Sequence, residues 1–216
     1  MNKQKIIYAF DPLCGWCFGF HNIINTLREE FKEHFDFEIK SGGLVIGKRI
    51  CKISEKAKYL KKSMPGVERI TGVKFGEKFI QLLDKGDYIS NSIPPSIAFN
   101  ALKSFRPDLA YDIAHAIQKT HYIDGMDLNN IRPYFKVAEQ FGIHKYGFME
   151  RYEDPMYEQF TLEEFDLVKG WGAHHYPAIL LENDVGVEMV SEGFVNYETL
   201  KTDFLDILEE GSESIK

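Results

Sequence analysis

The sequence predicts an α/β protein in which one mixed β-sheet is interrupted by a large helical insertion. Three observations support this fold class. The first 43 residues follow the order strand, helix, strand; residues 53–169 show helical and turn-like patterns; and the last part of the chain predicts two strands and a closing helix. With 216 residues, the chain can form one domain with an insertion but would be short for two complete domains.

The first predicted unit is a β-α-β crossover. Ile6 to Phe10 form a continuous apolar run that stops at Asp11, which indicates a buried strand followed by a turn. Phe35 to Lys40 alternate apolar and polar residues, which predicts a half-exposed strand. Between them, apolar residues recur with the period of an amphipathic helix at Phe20, Ile23, Ile24, Leu27 and Phe31. Such a crossover places its two strands parallel in one sheet.

The middle of the chain predicts several helices separated by proline and glycine, with a first break at Pro65 and Gly66. The last of these helices is expected from Met156 to Lys169. We therefore predict a discontinuous sheet domain formed by residues 1–50 and 170–216, and a helical insertion formed by residues 51–169.

The end of the chain completes the predicted sheet. Ala178 to Leu181 and Val187 to Val190 predict a hairpin around a turn at residues 183–184. Asn196 is expected to cap the closing helix, since its side chain can accept from the free N–H groups of the first turn. The tail, residues 211–216, is expected to fray.

Composition and charge exclude several function classes. The formal net charge is −7, with both signs mixed along the chain, so no basic surface for nucleic acid is predicted. No apolar run reaches the ~18 residues that a membrane span requires, and the N-terminal run is shorter than the ~7 to 15 apolar residues of a secretory signal. We expect a soluble, cytoplasmic protein.

The pair Cys14 and Cys17 is the strongest functional signal. Only three cysteines occur, which excludes a disulfide scaffold and favours a catalytic, redox-sensing or metal-binding pair. Residues three apart in a helix have Cα atoms roughly 5 to 5.5 Å apart, within the ~4.4 to 6.8 Å range of unstrained disulfides. Cys14 lies where the helix begins, and the dipole there favours a thiolate. Cys14 is thus the expected nucleophile, and Cys17 the residue that resolves the mixed disulfide.

The two residues between the cysteines are expected to tune this chemistry. Gly15 allows a substrate backbone to approach, and Trp16 offers an apolar surface without a positive charge. Stabilisation of the thiolate then depends mainly on the helix terminus, which predicts a moderate oxidant.

Two segments carry a resemblance to a known family. DPLCGWCFG, residues 11–19, follows the first predicted strand, and YPAIL, residues 176–180, begins the late hairpin. With the helical insertion between them, they resemble the DsbA-like branch of the thioredoxin-fold oxidoreductases, especially its cytosolic FrnE-type members. The resemblance implies a thioredoxin-like fold split by a helical domain, an active disulfide between Cys14 and Cys17, and a cis peptide bond before Pro177. The backbone of Tyr176 would then face an extended substrate.

Several residues expected near the two cysteines allow two interpretations. His174 and His175 either place a titratable charge beside the first cysteine or lie on the surface of a loop, which is the favoured interpretation. Asp11 could relay a proton to the second cysteine, but a role in forming the turn is favoured. Tyr176 stands where relatives carry a smaller side chain, which suggests a narrower substrate groove. Cys51 is expected to be a partly buried free thiol.

The sequence therefore predicts a thiol-disulfide oxidoreductase, either a reductase or an isomerase, that acts on protein or small-molecule thiols and disulfides. No cofactor is expected beyond the disulfide itself, with glutathione as a candidate co-substrate, and the protein is expected to be a monomer or a homodimer. One alternative of the same fold is a glutathione-dependent transferase or isomerase, resembling the kappa-class transferases and hydroxychromene-carboxylate isomerases, in which serine usually replaces Cys14. Another alternative is a zinc-binding module in which His174 and His175 join the two cysteines.

Overall fold

A computed structural model describes residues 3–213 of the chain. Four strands form a mixed sheet in the order β2-β1-β5-β6, and two short strands, β3 and β4, form a separate antiparallel pair. The strands are β1 (Gln4–Phe10), β2 (Phe35–Ser41), β3 (Cys51–Lys52), β4 (Ile89–Ser90), β5 (Ala178–Glu182) and β6 (Val187–Glu192).

Nine helices are present among the described residues, together with single 3-10 turns at Gly47–Arg49 and Pro107–Leu109. The helices are α1 (Gly15–Phe31), α2 (Ser54–Thr71), α3 (Glu77–Lys85), α4 (Ile93–Lys103), α5 (Ala110–Tyr122), α6 (Arg132–Gln140), α7 (Lys145–Glu153), α8 (Pro155–Gly170) and α9 (Tyr197–Glu213). None is long and apolar enough to cross a bilayer, as judged over the described part of the chain. The α/β class, the mixed sheet and the large helical insertion are as predicted.

Strand β1 lies in the interior of the sheet. It pairs parallel with β2, as the crossover predicts, and antiparallel with β5. Ile6 to Phe10 are all buried. This explains why the segment lacks the alternation of apolar and polar residues seen in a strand with one solvent-exposed face. The end of this buried strand positions the turn that leads into α1.

Two features of the insertion differ from the prediction. The expected break at Pro65 and Gly66 is wrong, because α2 continues through both residues. Met64 and Val67 on either side are buried, and this packing outweighs the lost N–H of proline. The pair β3 and β4 was not predicted, since two-residue strands are too short to show periodicity.

The closing part of the chain agrees well with the prediction. The hairpin of β5 and β6 is present, and Asn196 accepts a hydrogen bond from the Thr199 N–H at 3.0 Å, as expected of an N-cap. Helix α9 extends to Glu213, three residues into the tail that was expected to fray. The rest of that tail, residues 214–216, lies outside the described residues.

The main hydrophobic core contains residues from both the sheet and the insertion. Phe10 of β1, for example, meets Phe99 of α4 edge to face, with 4.9 Å between ring centroids. A smaller cluster joins α1 to the insertion through Phe18 and Tyr122, whose ring centroids are 5.2 Å apart. The division between residues 50 and 51 and between 169 and 170 stays a prediction.

Candidate functional site at the start of helix α1

Cys14 occupies the N-cap position of α1. Its backbone is extended (φ −94°, ψ 108°), and its sulfur accepts a hydrogen bond from the Cys17 N–H at 3.1 Å. The Cys14 thiol also donates to the Tyr176 carbonyl oxygen at 3.3 Å. The sulfur therefore lies between a helix terminus, which favours negative charge, and the loop that precedes β5.

Cys17 lies behind Cys14, one turn into the helix. Its side chain is fully buried, whereas Cys14 remains 4% exposed. The pKa of the Cys17 thiol is raised well above its usual value. Burial is the larger cause, and the hydrogen bond with Cys14 is the second. Both cysteines are free thiols. Cys17 is thus held protonated behind the more accessible sulfur, as the sequence predicts for a resolving cysteine.

Asp11 connects three segments around the cysteines. Its carboxylate accepts hydrogen bonds from the Leu13 N–H at 2.8 Å, from the Ser92 hydroxyl at 2.9 Å and from the Leu44 N–H at 2.7 Å. The bond to Leu13 confirms the predicted turn. The bonds to Leu44 and Ser92 also attach the loop after β2 and the start of α4 to the same carboxylate.

The same carboxyl group is completely buried. Burial raises the pKa of Asp11 to about 6, although the three hydrogen bonds act in the opposite direction. Asp11 also affects Cys17 directly: its backbone N–H lowers the pKa of that thiol, while its charge raises it. A carboxyl group that titrates near neutral pH therefore lies within electrostatic reach of Cys17.

The peptide bond between Tyr176 and Pro177 is cis, as the resemblance implies. The Tyr176 side chain points inward, where its hydroxyl donates to the Gly42 carbonyl oxygen. Gly42 leaves no room for a larger residue, because an added Cβ would lie 2.1 Å from the Tyr176 ring. The large side chain is thus accommodated by a glycine distant in sequence, and its backbone carbonyl remains available to Cys14.

His174 and His175 are exposed, in agreement with the favoured prediction of a surface loop. Their backbone N–H groups both donate to the Glu192 carboxylate, at 2.6 and 2.8 Å. The zinc alternative is not supported, because no group of three or more potential ligands could hold a metal ion within the described residues. Cys51 is a partly buried free thiol, as predicted.

A cavity of about 640 Å³ opens beside Cys14. Gly15, Trp16, His175 and Tyr176 contribute to its wall, so the structure brings these predicted site residues together. Another part of the wall, which sequence reasoning missed, belongs to α2 and includes Tyr59, Leu60, Ser63, Met64, Val67 and Ile70. The apolar spacing of α2 predicts a buried helix face but does not indicate what that face contacts.

No family model and no curated protein match this chain. Solved structures do resemble it. A proposed protein disulfide isomerase from Nitrosomonas europaea aligns with a TM-score of 0.86 and 24% identity over 97% of this chain and 99% of that chain. The cytosolic disulfide reductase DsbM from Pseudomonas aeruginosa aligns with a TM-score of 0.76 and 21% identity over 97% and 98% of the two chains.

A third resemblance is to a 2-hydroxychromene-2-carboxylate isomerase, with a TM-score of 0.69 and 13% identity over 97% of this chain and 98% of that chain. DsbM has also been solved with glutathione. At these identities the comparisons show the fold. The chain has the DsbA-like thioredoxin fold with a helical insertion, as the sequence predicts.

Proposed function

We propose that the protein is a thiol-disulfide oxidoreductase in which Cys14 attacks a substrate disulfide and Cys17 resolves the product. The observation that carries this proposal is the arrangement of the two sulfurs. Cys14 accepts the Cys17 N–H at the helix terminus and lines a cavity, while Cys17 is fully buried behind it. The fold shared with DsbM and with the Nitrosomonas europaea protein supports the same activity.

In the proposed reaction, the Cys14 thiolate attacks one sulfur of the substrate disulfide and forms a mixed disulfide, and the other substrate sulfur leaves as a thiolate. Cys17 then loses its proton and attacks the Cys14 sulfur. This step forms the Cys14–Cys17 disulfide and releases the second substrate thiol. The substrate gains two electrons and, in sum, the two thiol protons of the protein.

Asp11 is the proposed proton acceptor for Cys17. The pKa of the Cys17 thiol is raised by burial, so this thiol needs a base when it attacks. Asp11 is buried nearby, and its pKa of about 6 leaves most of its carboxyl groups ionised at neutral pH. The same residue would therefore hold the turn and take part in the resolving step.

The oxidised protein must be returned to the dithiol by an external thiol, for which glutathione is a candidate because DsbM has been solved with it. We place the protein in the cytoplasm, where a reducing environment keeps such a pair mostly reduced. Net reduction or isomerisation of disulfides would then prevail over net oxidation.

The mechanism can be tested in a Cys51→Ser background, which removes the third cysteine. Cys17→Ser should then accumulate a mixed disulfide on Cys14, because no resolving thiol remains. Mass spectrometry of the intact protein measures the adduct. Cys14→Ser, the matched control, should form little adduct and lose insulin-reductase activity, and an unimpaired Cys14→Ser protein would rule out this mechanism.

A second candidate is a glutathione-dependent isomerase or transferase, which the structural similarity to 2-hydroxychromene-2-carboxylate isomerase favours. That chemistry does not require a resolving cysteine. If Cys17→Ser conjugates glutathione to an electrophile at the wild-type rate, this candidate replaces the redox mechanism. The second cysteine, fully buried one turn behind Cys14, favours the redox mechanism.

A further inference from the structure

The cavity beside Cys14 has a wall without charged carboxylate, ammonium or guanidinium groups. Among the residues of 3–213 that line it, no Lys, Arg, Asp or Glu occurs. We propose that the disulfide attacked by Cys14 is a small molecule carrying an uncharged apolar group, and that this group binds in the cavity. This inference rests on the proposed function and names its substrate class.

Helix α2 supplies much of the apolar wall. Leu60, Met64 and Val67 follow the spacing of one helix face and all line the cavity. Lysines of the same helix are directed elsewhere: Lys56 donates to the Arg49 carbonyl oxygen, and Lys61 pairs with Asp84. The amphipathic pattern of α2 thus turns its apolar side toward the cavity.

The mouth of the cavity also carries apolar side chains. Tyr59 is 72% exposed and Ile70 is 53% exposed, and both lie on α2 at the cavity wall. Trp16 lies close to Phe194, with 5.4 Å between ring centroids, and both contribute to the wall. A volume of about 640 Å³ lies within the roughly 300 to 1,000 Å³ of small-molecule sites, so an aromatic or branched apolar group fits.

The titratable side chains of the wall do not supply the positive charge of a lysine or an arginine. His121 is 2% exposed, and burial lowers its pKa to about 4, so it is neutral at pH 7. His175 lies on the surface loop, and the remaining titratable groups are the Cys14 thiol and the tyrosines at positions 59, 88, 122 and 176. Glutathione carries two carboxylates at neutral pH, and these would enter an apolar wall without ionic partners. The cavity therefore favours an apolar disulfide over a glutathione disulfide.

Two compounds with the same leaving group test this inference: the mixed 2-pyridyl disulfides of benzyl mercaptan and of glutathione. The release of 2-thiopyridone by the reduced full-length protein is measured, and each rate is divided by the rate with N-acetylcysteine to remove intrinsic reactivity. We expect the normalised rate to be about tenfold or more higher for the benzyl compound, from burial of its ring. Equal rates, or a faster glutathionyl compound, would overturn the inference.

Two controls locate the effect. Ile70→Lys adds a cation at the cavity mouth and should reduce the preference at least about threefold, whereas Val185→Lys, at a site that is 98% exposed and does not line the cavity, should not. High salt screens long-range repulsion by the net charge of −7, so the preference should persist there. A preference that vanishes in salt, or that Ile70→Lys leaves unchanged, contradicts the cavity assignment. No Cys14-dependent reaction with either compound would instead refute the proposed function.

Discussion

At the scale of single residues, the contact between Gly42 and Tyr176 supports the position of the Cys14 sulfur. The Tyr176 hydroxyl donates to the Gly42 carbonyl oxygen, and the Tyr176 carbonyl accepts from Cys14. Gly42, which directly follows β2, therefore helps to place the backbone group that contacts Cys14. Displacing the tyrosine ring should move that carbonyl as well.

Gly42→Ala should destabilise the protein by ~1 to 3 kcal/mol, because its Cβ would overlap the Tyr176 ring. The rate of mixed-disulfide formation at Cys14 should fall as well. Urea unfolding and adduct formation measure the two effects. Gly66→Ala is the matched control: no atom lies within 4 Å of its added Cβ, so a small stabilisation of ~0.5 to 1 kcal/mol is expected within α2. Equal effects of the two substitutions would contradict the described packing.

Asp11 combines a structural role with a proposed chemical role. It joins the turn before α1, the loop after β2 and the start of α4 through three hydrogen bonds. Its complete burial raises its pKa to about 6, where a small change in surroundings changes its charge. Hydrogen bonding to the turn thus positions a carboxyl group within electrostatic reach of Cys17.

At the scale of secondary-structure elements, α1 and α5 meet through two stacked histidines. The rings of His21 and His115 are 3.7 Å apart between centroids and nearly parallel, and Phe18 stacks on His115. Burial lowers the pKa of His21 to about 4 and that of His115 to about 3, the latter also because of His21. Neutral rings can stack, whereas two protonated rings would repel each other.

The stack predicts loss of stability in acid. Since both folded pKa values lie below the unfolded value of about 6.5, the unfolded chain binds more protons in this range. The stabilising effect is complete above pH 6.5 and is lost as the pH falls toward 4. Around the pair, Asp112 raises the pKa of His21, whereas Arg28 and Lys119 lower it.

His115→Phe should reduce the difference in unfolding free energy between pH 7 and pH 4.5 by about 1 to 2 kcal/mol, after allowance for partial exposure of the ring. Urea unfolding at both pH values measures it. The exposed His144 provides a control, because His144→Phe should keep the wild-type difference. If His115→Phe loses as much stability in acid as the wild type, the stack does not titrate as described.

At the scale of the whole molecule, the sheet and the helical insertion share one main core. Phe99 of α4 is fully buried against Phe10 of β1, and the Lys103 ammonium lies 4.8 Å from the centre of the Phe99 ring. Such packing couples the two parts of the chain energetically. We therefore expect them to unfold together.

Phe99→Ala should lower the free energy of unfolding by ~3 to 5 kcal/mol. Fluorescence of Trp16 and Trp171 and far-ultraviolet circular dichroism should report one coincident transition in both proteins, since the mutation weakens a shared core. Phe160→Ala, at a side chain 46% exposed, should cost less than about 1 kcal/mol. Separate transitions for the two probes would show that the predicted domains unfold independently.

The sequence alone determined the order of elements around the cysteines, the hairpin and the cap at Asn196. These features depend on patterns between neighbours, such as apolar periodicity and the residue types at helix starts. The position of Cys14 at the start of a helix, directly after a buried strand, also follows from such local patterns. The proposed role of Cys14 could therefore be inferred from the sequence.

Only the tertiary structure decided how the surroundings of Cys14 are assembled. Asp11 meets Leu44 and Ser92, Tyr176 meets Gly42, and α2 forms part of the wall of the cavity. The continuation of α2 through Pro65 also depends on buried neighbours. These contacts join residues that are far apart in the chain, and local patterns carry no information about which distant side chain fills a given space.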